Sequence, residues 1–351
     1  MESNRPFRRP LVLGPNQPRQ FYRGGARIAA FRGITPASDY LPEDWVGSTT
    51  ELAGHPGAGL TVLDDGRTLR AAIEADPEGY LGPAHAGRFG SDLALLVKLL
   101  DTGERLVVHY HPDRAFARAH LHSCHGKTEA WIVTQITPDA ADDSAGHVYV
   151  GFREDTDPAA VRGWVEAQDK AALLGALNKI PVAPGDACLV PAGVPHAVGI
   201  GVTVVEVQEP TDFSILLEWE GYAIDGREAG HLGLGYPLAL EALDYSGWDR
   251  DRVAGLLAGR PAAAPQDGPV PLLPPQADEF FRVERIRPGA LPLDLAPQVA
   301  VLVVLDGHGR LVSDAGALPV ARGTTLFVPY GAGPVRLEGD LHALRCLPPA
   351  P

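Results

Sequence analysis

The sequence has few cysteines and lacks any long apolar run. Only three of its 351 residues are cysteine, and Cys124, Cys188 and Cys346 are widely spaced. An odd, scattered set does not suit a disulfide framework and is typical of a reduced compartment, so we expect a cytoplasmic protein. No stretch of about 18 apolar residues occurs, which argues against a transmembrane helix. The basic segment at residues 1–10 is not followed by an apolar core, so no secretory signal is expected.

Basic residues are also fewer than acidic ones. The sequence has 30 Lys and Arg against 44 Asp and Glu, and its formal net charge is −14. A chain of this sign is repelled by phosphate backbones and by anionic lipid surfaces. We therefore expect a small-molecule substrate and neither nucleic acid nor a membrane as partner. The sequence leaves the oligomeric state open.

Glycine and proline, in contrast, are abundant, with 40 Gly and 33 Pro. Short apolar runs between turn residues are typical of a β-barrel or sandwich. These runs include residues 60–63, 93–100, 106–110, 130–133, 148–152, 187–190, 202–207, 299–305 and 326–328. Helix signals are confined to 69–75 after the capping Thr68, to a helical pair within about 156–179, and to 236–245.

One pattern occurs twice along the chain. Gly-x5-Pro-x-Gly-x2 precedes His196 in the segment 185–196 and precedes Pro334 in the segment 323–334. Each copy contains a turn glycine, an apolar strand and a Pro-x-Gly turn, which indicates a duplicated supersecondary unit. Because Pro334 replaces the histidine, we expect only the first copy to bind a metal.

The chain divides accordingly into two strand-rich parts. Residues 1–258 form the predicted metal-binding domain, with the helical insertion at about 156–179. A Pro-rich linker is predicted at 259–275, since this stretch is rich in proline and alanine. Residues 276–351 form the predicted C-terminal domain, a degenerate copy of the first.

Four side chains with metal-binding chemistry lie at the ends of apolar runs. His109 and His111 are two residues apart, and alternate residues of a strand face the same side. Two imidazoles on one side converge as a metal with nitrogen ligands requires. Glu129 begins another run and His196 ends the first copy of the repeat. A lone His-x-His is more often structural, but together these residues predict one divalent metal bound by His109, His111, Glu129 and His196.

These spacings are similar to the two cupin signatures, and the chain more finely resembles class I (cupin-type) mannose-6-phosphate isomerases. The segments that carry the resemblance are LALLVKLLDTGERLVVHYHPD (93–113), GKTEAWIV (126–133), PVAPGDACLVPAGVPHAVGIGVTVVEVQEPTD (181–212) and GTTLFVPYGAGPVRL (323–337). The resemblance implies a mainly β protein of two cupin (jelly-roll, double-stranded β-helix) domains with a small helical insertion. It also implies one zinc-type metal and isomerisation of mannose 6-phosphate to fructose 6-phosphate or of a related sugar.

The resemblance also assigns residues by motif position. It implies the same four metal ligands, and it places Lys127 and Glu206 at polar active-site positions of the family. Moving a proton between two sugar carbons needs a base, for which Glu206 is the candidate. Lys127 would stabilise developing alkoxide charge or help to open the sugar ring. Asp212 matches a position of the same motif, without a role that the sequence assigns.

Two positions depart from the family pattern. His109 stands where the family usually has Gln, so the predicted ligands are three His and one Glu; this leaves Zn, Mn, Fe, Co and Ni open. Leu216 stands where the family has an active-site Arg, and leucine offers no bidentate contact to a phosphate or oxyanion. The sugar and its phosphorylation therefore stay open.

Two other functions remain as alternatives. An iron-dependent cupin oxygenase would suit the three-His, one-Glu ligand set, and a non-catalytic sugar-binding cupin would suit the missing Arg.

A dense group of possible ligands, His120, His122, Cys124 and His125, has no fixed spacing. We interpret it as a polar loop and not as a second metal site.

Overall fold

The computed structural model describes residues 6–139, 141–258, 268–288 and 291–350, and this part of the chain is mainly β. Its strands form three sheets, and neighbouring strands within each sheet are antiparallel. In chain order the strands are β1 (Leu11–Val12), β2 (Glu43–Val46), β3 (Leu96–Asp101), β4 (His109–Tyr110), β5 (Glu129–Ile136), β6 (His147–Phe152), β7 (Leu177–Pro181), β8 (Ala187–Val190), β9 (His196–Val198), β10 (Val202–Gln208), β11 (Ile215–Leu216), β12 (Leu257–Ala258), β13 (Val270–Pro271), β14 (Arg282–Ile286), β15 (Leu293–Leu295), β16 (Ala300–Ser313), β17 (Gly316–Ala321), β18 (Thr325–Val328) and β19 (Val335–Leu347).

The helices are short, and none in the described ranges is long and apolar enough to cross a bilayer. They are α1 (Ala26–Arg32), α2 (Leu69–Ala75), α3 (Pro77–Leu81), α4 (Pro83–Phe89), α5 (Arg114–His120), α6 (Pro158–Ala167), α7 (Lys170–Ala176), α8 (Gly226–Ala229), α9 (Tyr236–Ala239) and α10 (Arg250–Ala254). Single 3₁₀ turns occur at Pro6–Arg8, Leu240–Ala242, Pro275–Glu279 and Tyr330–Ala332. The Thr68 side chain caps α2, as predicted, and Asp157 caps α6.

Some predicted ends of helices and strands are wrong, because pairing with a neighbouring strand decides where these elements end. The second helix of the pair expected within about 156–179 ends at Ala176, because Leu177 begins β7 and pairs with Phe152 of β6. The run at 60–63 forms only an isolated bridge from Val62 to Thr68. The run at 106–110 is a strand only at its last two residues. In each case a neighbouring strand, or its absence, outweighs the local apolar pattern.

Two sheets enclose the predicted metal ligands. One has six strands in the order β12-β8-β5-β10-β3-β2, and the other has five in the order β11-β4-β9-β6-β7. They face each other, since the carboxylate of Glu129 on β5 lies 3.5 Å from His196 Nε2 on β9. The six-stranded sheet is buried on both faces. On its outer face Leu99, Ile132 and Val205 join a single apolar core.

That core also includes residues of the third sheet, such as Val301 and Phe327. This eight-stranded sheet has the order β1-β18-β16-β19-β14-β13, with β15 beside β19 and β17 beside β16. Its first strand comes from the N-terminal part, where Leu11 pairs with Phe327. Residues 268–275 of the predicted linker contain β13, and residues 259–267 lie outside the described ranges. The division at 258 and 276 stays a prediction.

Candidate metal centre

Cross-strand pairing brings the histidines together. His109 of β4 is the direct partner of His196 of β9. His111 lies just beyond the end of β4, and its carbonyl accepts a hydrogen bond of 2.7 Å from Gly193 N–H. Gly193 has φ of +85°, a conformation that favours glycine, so the Pro-x-Gly turn itself fixes the backbone of His111. The repeat motif thus positions two ligands and not only the histidine within it.

Hydrogen bonds fix the direction of each imidazole ring. The Nδ1 atoms of His109, His111 and His196 lie 2.9, 2.7 and 2.8 Å from backbone carbonyls of residues 107, 213 and 194. A carbonyl only accepts, so each Nδ1 carries the proton and donates it. Every Nε2 therefore presents a lone pair. Such a carbonyl contact is the usual support of a metal-binding histidine.

These lone pairs converge on one point. The ligand atoms of the three histidines all lie within 4.8 Å of one another. His109 Nε2 and His196 Nε2 are 3.0 Å apart, and two acceptors at this distance repel each other unless a cation lies between them. Glu129 adds a carboxylate oxygen 3.0 Å from His111 Nε2. The donor set of three nitrogens and one carboxylate fits a divalent cation. All four predicted ligands are thus in one place, and their role as ligands stays a prediction.

The electrostatics of the centre favour the metal-binding protonation states. Burial lowers the pKa of His111 and of His196 to about 3, so both rings are neutral at physiological pH. Burial would raise the pKa of Glu129, but Lys127 and His111 hold it well below its ordinary value. Neutral imidazoles and an ionised carboxylate are the forms that bind a metal.

Lys127 and Glu206 lie beside the proposed ligands, and their catalytic roles stay predictions. Lys127 Nζ is 2.8 Å from Glu129 Oε2 and 3.7 Å from Glu206 Oε1, and the lysine is almost wholly buried. Burial and the nearby carboxylate of Glu129 raise the pKa of Glu206 to about 8. A carboxylate with a raised pKa accepts a proton more readily than a solvated one.

The structure adds a buried pair that the sequence reasoning missed. Lys98 faces Glu206 across β3 and β10, and its Nζ lies 3.3 Å from Glu43 Oε2. Glu43 also accepts hydrogen bonds of 2.6 Å from Tyr22 Oη and Trp45 Nε1. Burial lowers the pKa of Lys98, but Glu43 and Glu206 raise it further than burial lowers it. In the sequence, the sign of this buried pair was a single lysine, Lys98, within the apolar run 93–100.

Of the proposed ligands, His109 and Glu129 line a cavity of about 680 Å³ between the two facing sheets. Lys98, Lys127 and Arg19 are the Lys and Arg side chains among its described lining residues. Leu216, which stands at the family's Arg position, is buried in the cavity wall on β11, opposite His109. Asp212 also lines the cavity, where its carboxylate accepts a hydrogen bond of 3.0 Å from Ala53 N–H. The cavity is thus lined by charged side chains and, at Leu216, by an apolar one.

The predicted polar loop forms an ion-pair network. His125 Nε2 lies 2.5 Å from Asp92 Oδ2, and Cys124 is close to both. Glu209 accepts a hydrogen bond of 2.5 Å from Arg114 Nε and one of 2.9 Å from Thr128 N–H. This network ties α5 and the following loop to the ends of β5 and β10, next to Lys127.

Comparison with known proteins finds similar sequences and similar structures. No protein-family model matches the sequence. Over 346 residues the chain is 27% identical to the mannose-6-phosphate isomerase of Streptococcus mutans, a match that covers 95% of this chain and 97% of the relative. This chain is similar to mannose-6-phosphate isomerases along nearly its full length. A second one, ManA of Bacillus subtilis, is 27% identical over 328 residues, with 90% and 92% of the two chains covered.

Solved structures of mannose-6-phosphate isomerases share the fold. The enzyme from Bacillus subtilis superposes with a TM-score of 0.71 at 19% identity, over 96% of this chain and 99% of the other. The apo form from Salmonella typhimurium gives a TM-score of 0.70 at 17% identity, over 97% and 99%. The resemblance to this family that the sequence motifs predicted is confirmed.

Proposed function

We propose that this protein is a metal-dependent aldose–ketose isomerase that interconverts mannose 6-phosphate and fructose 6-phosphate or a closely related pair of sugars. The observation that carries the proposal is the convergence of three Nε2 lone pairs and the Glu129 carboxylate beside Lys127 and Glu206. The relatives named mannose-6-phosphate isomerase support it, because they match the chain along nearly its full length.

The metal would be held by His109, His111, Glu129 and His196, and we propose zinc. A bound divalent cation supplies a Lewis acid for the two adjacent sugar oxygens that gain negative charge during isomerisation. Manganese, iron, cobalt and nickel suit the same donors, since three imidazoles and one carboxylate do not select among them by softness.

Glu206 is proposed as the base that moves the proton between the two sugar carbons. It lies on β10, on the face that lines the cavity, and at 2% exposure it is shielded from water. Rigid strands on both sides, β3 and β5, hold it in place, which favours a fixed distance to a bound substrate. The proton then stays on the carboxyl until it returns to the neighbouring carbon.

Lys127 is proposed to stabilise the sugar oxygens. Its ammonium group lies between Glu129 and Glu206, so it is positioned on the side of the centre where the base acts. A cation held by two buried carboxylates has little freedom to turn away, and a preorganised charge stabilises developing oxyanion charge better than solvent does.

We propose that the protein consists of two jelly-roll cupin domains, with the metal in the first. The two facing sheets around the ligands support the first domain, and the eight-stranded sheet supports the second. The cytoplasmic location stays a prediction from the cysteine content.

An iron-dependent oxygenase is the second candidate. The observation that favours it is the third histidine, since His109 replaces the Gln of the resembled family and completes a three-His, one-Glu set. Tightly bound iron together with substrate-dependent oxygen uptake would support this candidate against the isomerase.

The test combines metal analysis with turnover. The purified protein should contain one equivalent of divalent metal and convert mannose 6-phosphate to its ketose in the presence of Zn, Mn or Co. His111→Ala and His196→Ala should each lose the metal and the activity while keeping the fold. His308→Ala, an exposed histidine on β16, serves as the matched control. Full metal occupancy in both ligand variants would contradict the assignment.

A further inference from the structure

A second cleft, of about 460 Å³, lies behind the metal centre. Its lining includes Leu99, Ile132 and Val205 of the six-stranded sheet, together with Leu344 of the eight-stranded sheet. The chain neighbours of the first three residues line the cavity of the metal centre. Successive residues of a strand face opposite sides, so the two cavities lie back to back across one sheet.

The second cleft collects positive charge. In the described part of the chain its lining includes four arginines and one histidine against a single carboxylate, that of Asp306. The basic residues are Arg27, Arg285, Arg287, Arg322 and His342. In a chain with a net charge of −14, such a concentration of positive charge is unexpected. Guanidinium groups clustered around one cleft attract anions to it.

Strand register explains why these side chains converge. Arg285 is the cross-strand partner of Leu344, and His342 lies two residues before Leu344 on the same face of β19. Arg287 lies just past the end of β14, two residues after Arg285, and also lines the cleft. Burial, together with Arg287, lowers the pKa of the Arg285 guanidinium. The Nε2 atom of His342 is buried and has no hydrogen-bond partner in the described structure.

The cations of the cleft differ in their surroundings. Arg27 is bound within the protein, since its Nε lies 2.5 Å from Asp101 Oδ1. Arg322 is exposed, and its guanidinium lies 5.1 Å from the centre of the Phe31 ring. Arg322 therefore lies where a ligand enters from solvent, and Arg285 lies deeper. Between them the walls are largely aliphatic.

We propose that this cleft binds a small phosphate ester that carries an apolar group, at a site separate from the metal centre. A guanidinium group matches phosphate oxygens with two parallel hydrogen bonds. The aliphatic walls would contact the apolar group, as in most small-molecule sites. This inference goes beyond the isomerase proposal and does not depend on it.

Phenyl phosphate is a suitable probe, because it combines a phosphate with an apolar ring and does not resemble a sugar. Calorimetric titration of the full-length, metal-loaded protein should show saturable binding, and phenol should bind much more weakly. Arg287→Gln and Arg322→Gln should each weaken binding by about tenfold or more, the effect of losing a charge-assisted hydrogen bond. Arg118→Gln makes the same charge change at an exposed position outside the cleft and should leave the dissociation constant unchanged.

A titration of His111→Ala separates this site from the metal centre, and its affinity for phenyl phosphate should equal that of the native protein. Absence of saturable binding to the native protein would overturn the proposal. So would unchanged affinity in both arginine variants, or binding that is lost in His111→Ala alone. If Arg287→Gln does not fold, Arg322→Gln decides the question, because Arg322 is exposed and its removal leaves no buried gap.

Discussion

At the scale of single residues, the centre depends on which ring nitrogen carries a proton. Each histidine donates its Nδ1 proton to a backbone carbonyl, and in two of the three cases that carbonyl lies two residues earlier in the chain. The rings of His109 and His196 are therefore held by their own local backbone. The third ring is held by residue 213, from the segment that leads into β11. Local structure and long-range contact thus both contribute to the ligand geometry.

The assignment of Glu206 as base leads to a first prediction. Glu206→Gln keeps the size of the side chain and removes its ability to take up a proton, so turnover should fall by about 10²- to 10⁴-fold. Metal content should stay unchanged, because Glu206 is not among the proposed ligands. Exchange of the sugar C2 proton with labelled water measures the effect directly. Glu241→Gln, at an exposed position, is the control. Exchange at the native rate in Glu206→Gln would exclude this role.

The apolar wall at residue 216 leads to a second prediction. Leu216 lies beside His109 and lines the cavity, where an arginine would add a charge-assisted hydrogen bond to a phosphate or sugar oxygen. We expect Leu216→Arg to raise kcat/KM for mannose 6-phosphate by about tenfold or more. Leu216→Met, which changes shape without adding charge, should not raise it. If the native protein turns over mannose 6-phosphate at ordinary enzymatic rates and Leu216→Arg is no faster, the absence of arginine at position 216 does not reduce activity.

At the scale of elements, β5 begins at Glu129, Lys127 lies two residues before it, and ion pairs hold the loop that contains Lys127. His125 approaches Asp92 at 2.5 Å and Glu209 at 3.8 Å. Glu209 in turn binds Arg114 of α5 and the backbone of Thr128. Charged side chains thus help to fix the loop that contains Lys127.

This network gives a prediction for pH. Burial lowers the pKa of His125, but its hydrogen bond to Asp92 and the nearby Glu209 carboxylate raise it to about 10 overall. A histidine that keeps its proton in the folded state and releases it near pH 6.5 when unfolded makes the folded state less stable as pH rises. We expect the free energy of unfolding to decrease from about pH 6.5 to 10 because of this group. His125→Gln should remove that part of the decrease in urea unfolding curves. His231→Gln is the control, since no carboxylate is among its hydrogen-bond partners. Equal pH slopes in the native protein and His125→Gln would contradict the prediction.

At the scale of the whole molecule, the two faces of the six-stranded sheet have different surroundings. Its inner face carries the polar centre, and its outer face packs on the eight-stranded sheet through Val301, Phe327 and their neighbours. The N-terminal strand β1 adds to this contact, because it pairs with β18. Arg32 and Asp44 form a buried ion pair at the same junction, where Arg32 also donates to Thr325 Oγ1. The eight-stranded sheet therefore supports the metal centre from behind.

Removal of a large side chain at this junction should reduce the stability of the whole protein. Phe327 is fully buried, and Phe327→Ala should lower the free energy of unfolding by about 3–5 kcal/mol through lost burial and a cavity. Leu291→Ala, at a residue that is 78% exposed, should change it by less than about 0.5 kcal/mol. Chemical denaturation measures both values. A loss below about 1 kcal/mol for Phe327→Ala would mean that the two layers are only loosely coupled.

The sequence by itself determined the features that depend on neighbouring residues. Turn glycines, prolines and short apolar runs predicted a mainly β chain, and local capping residues predicted α2 and α6. The spacing of His109 and His111, and the position of His196 after its turn, predicted the centre because strand periodicity and turn geometry operate over a few residues.

Only the tertiary structure decided the features that depend on register between distant strands. Lys98 meets Glu206 because β3 pairs with β10, more than a hundred residues later. Arg285 reaches the second cleft beside His342 because β14 pairs with β19. A shift of one residue in either pairing would turn these side chains to the opposite face. No local pattern encodes that choice, since it follows from which faces of three sheets bury their apolar residues against one another.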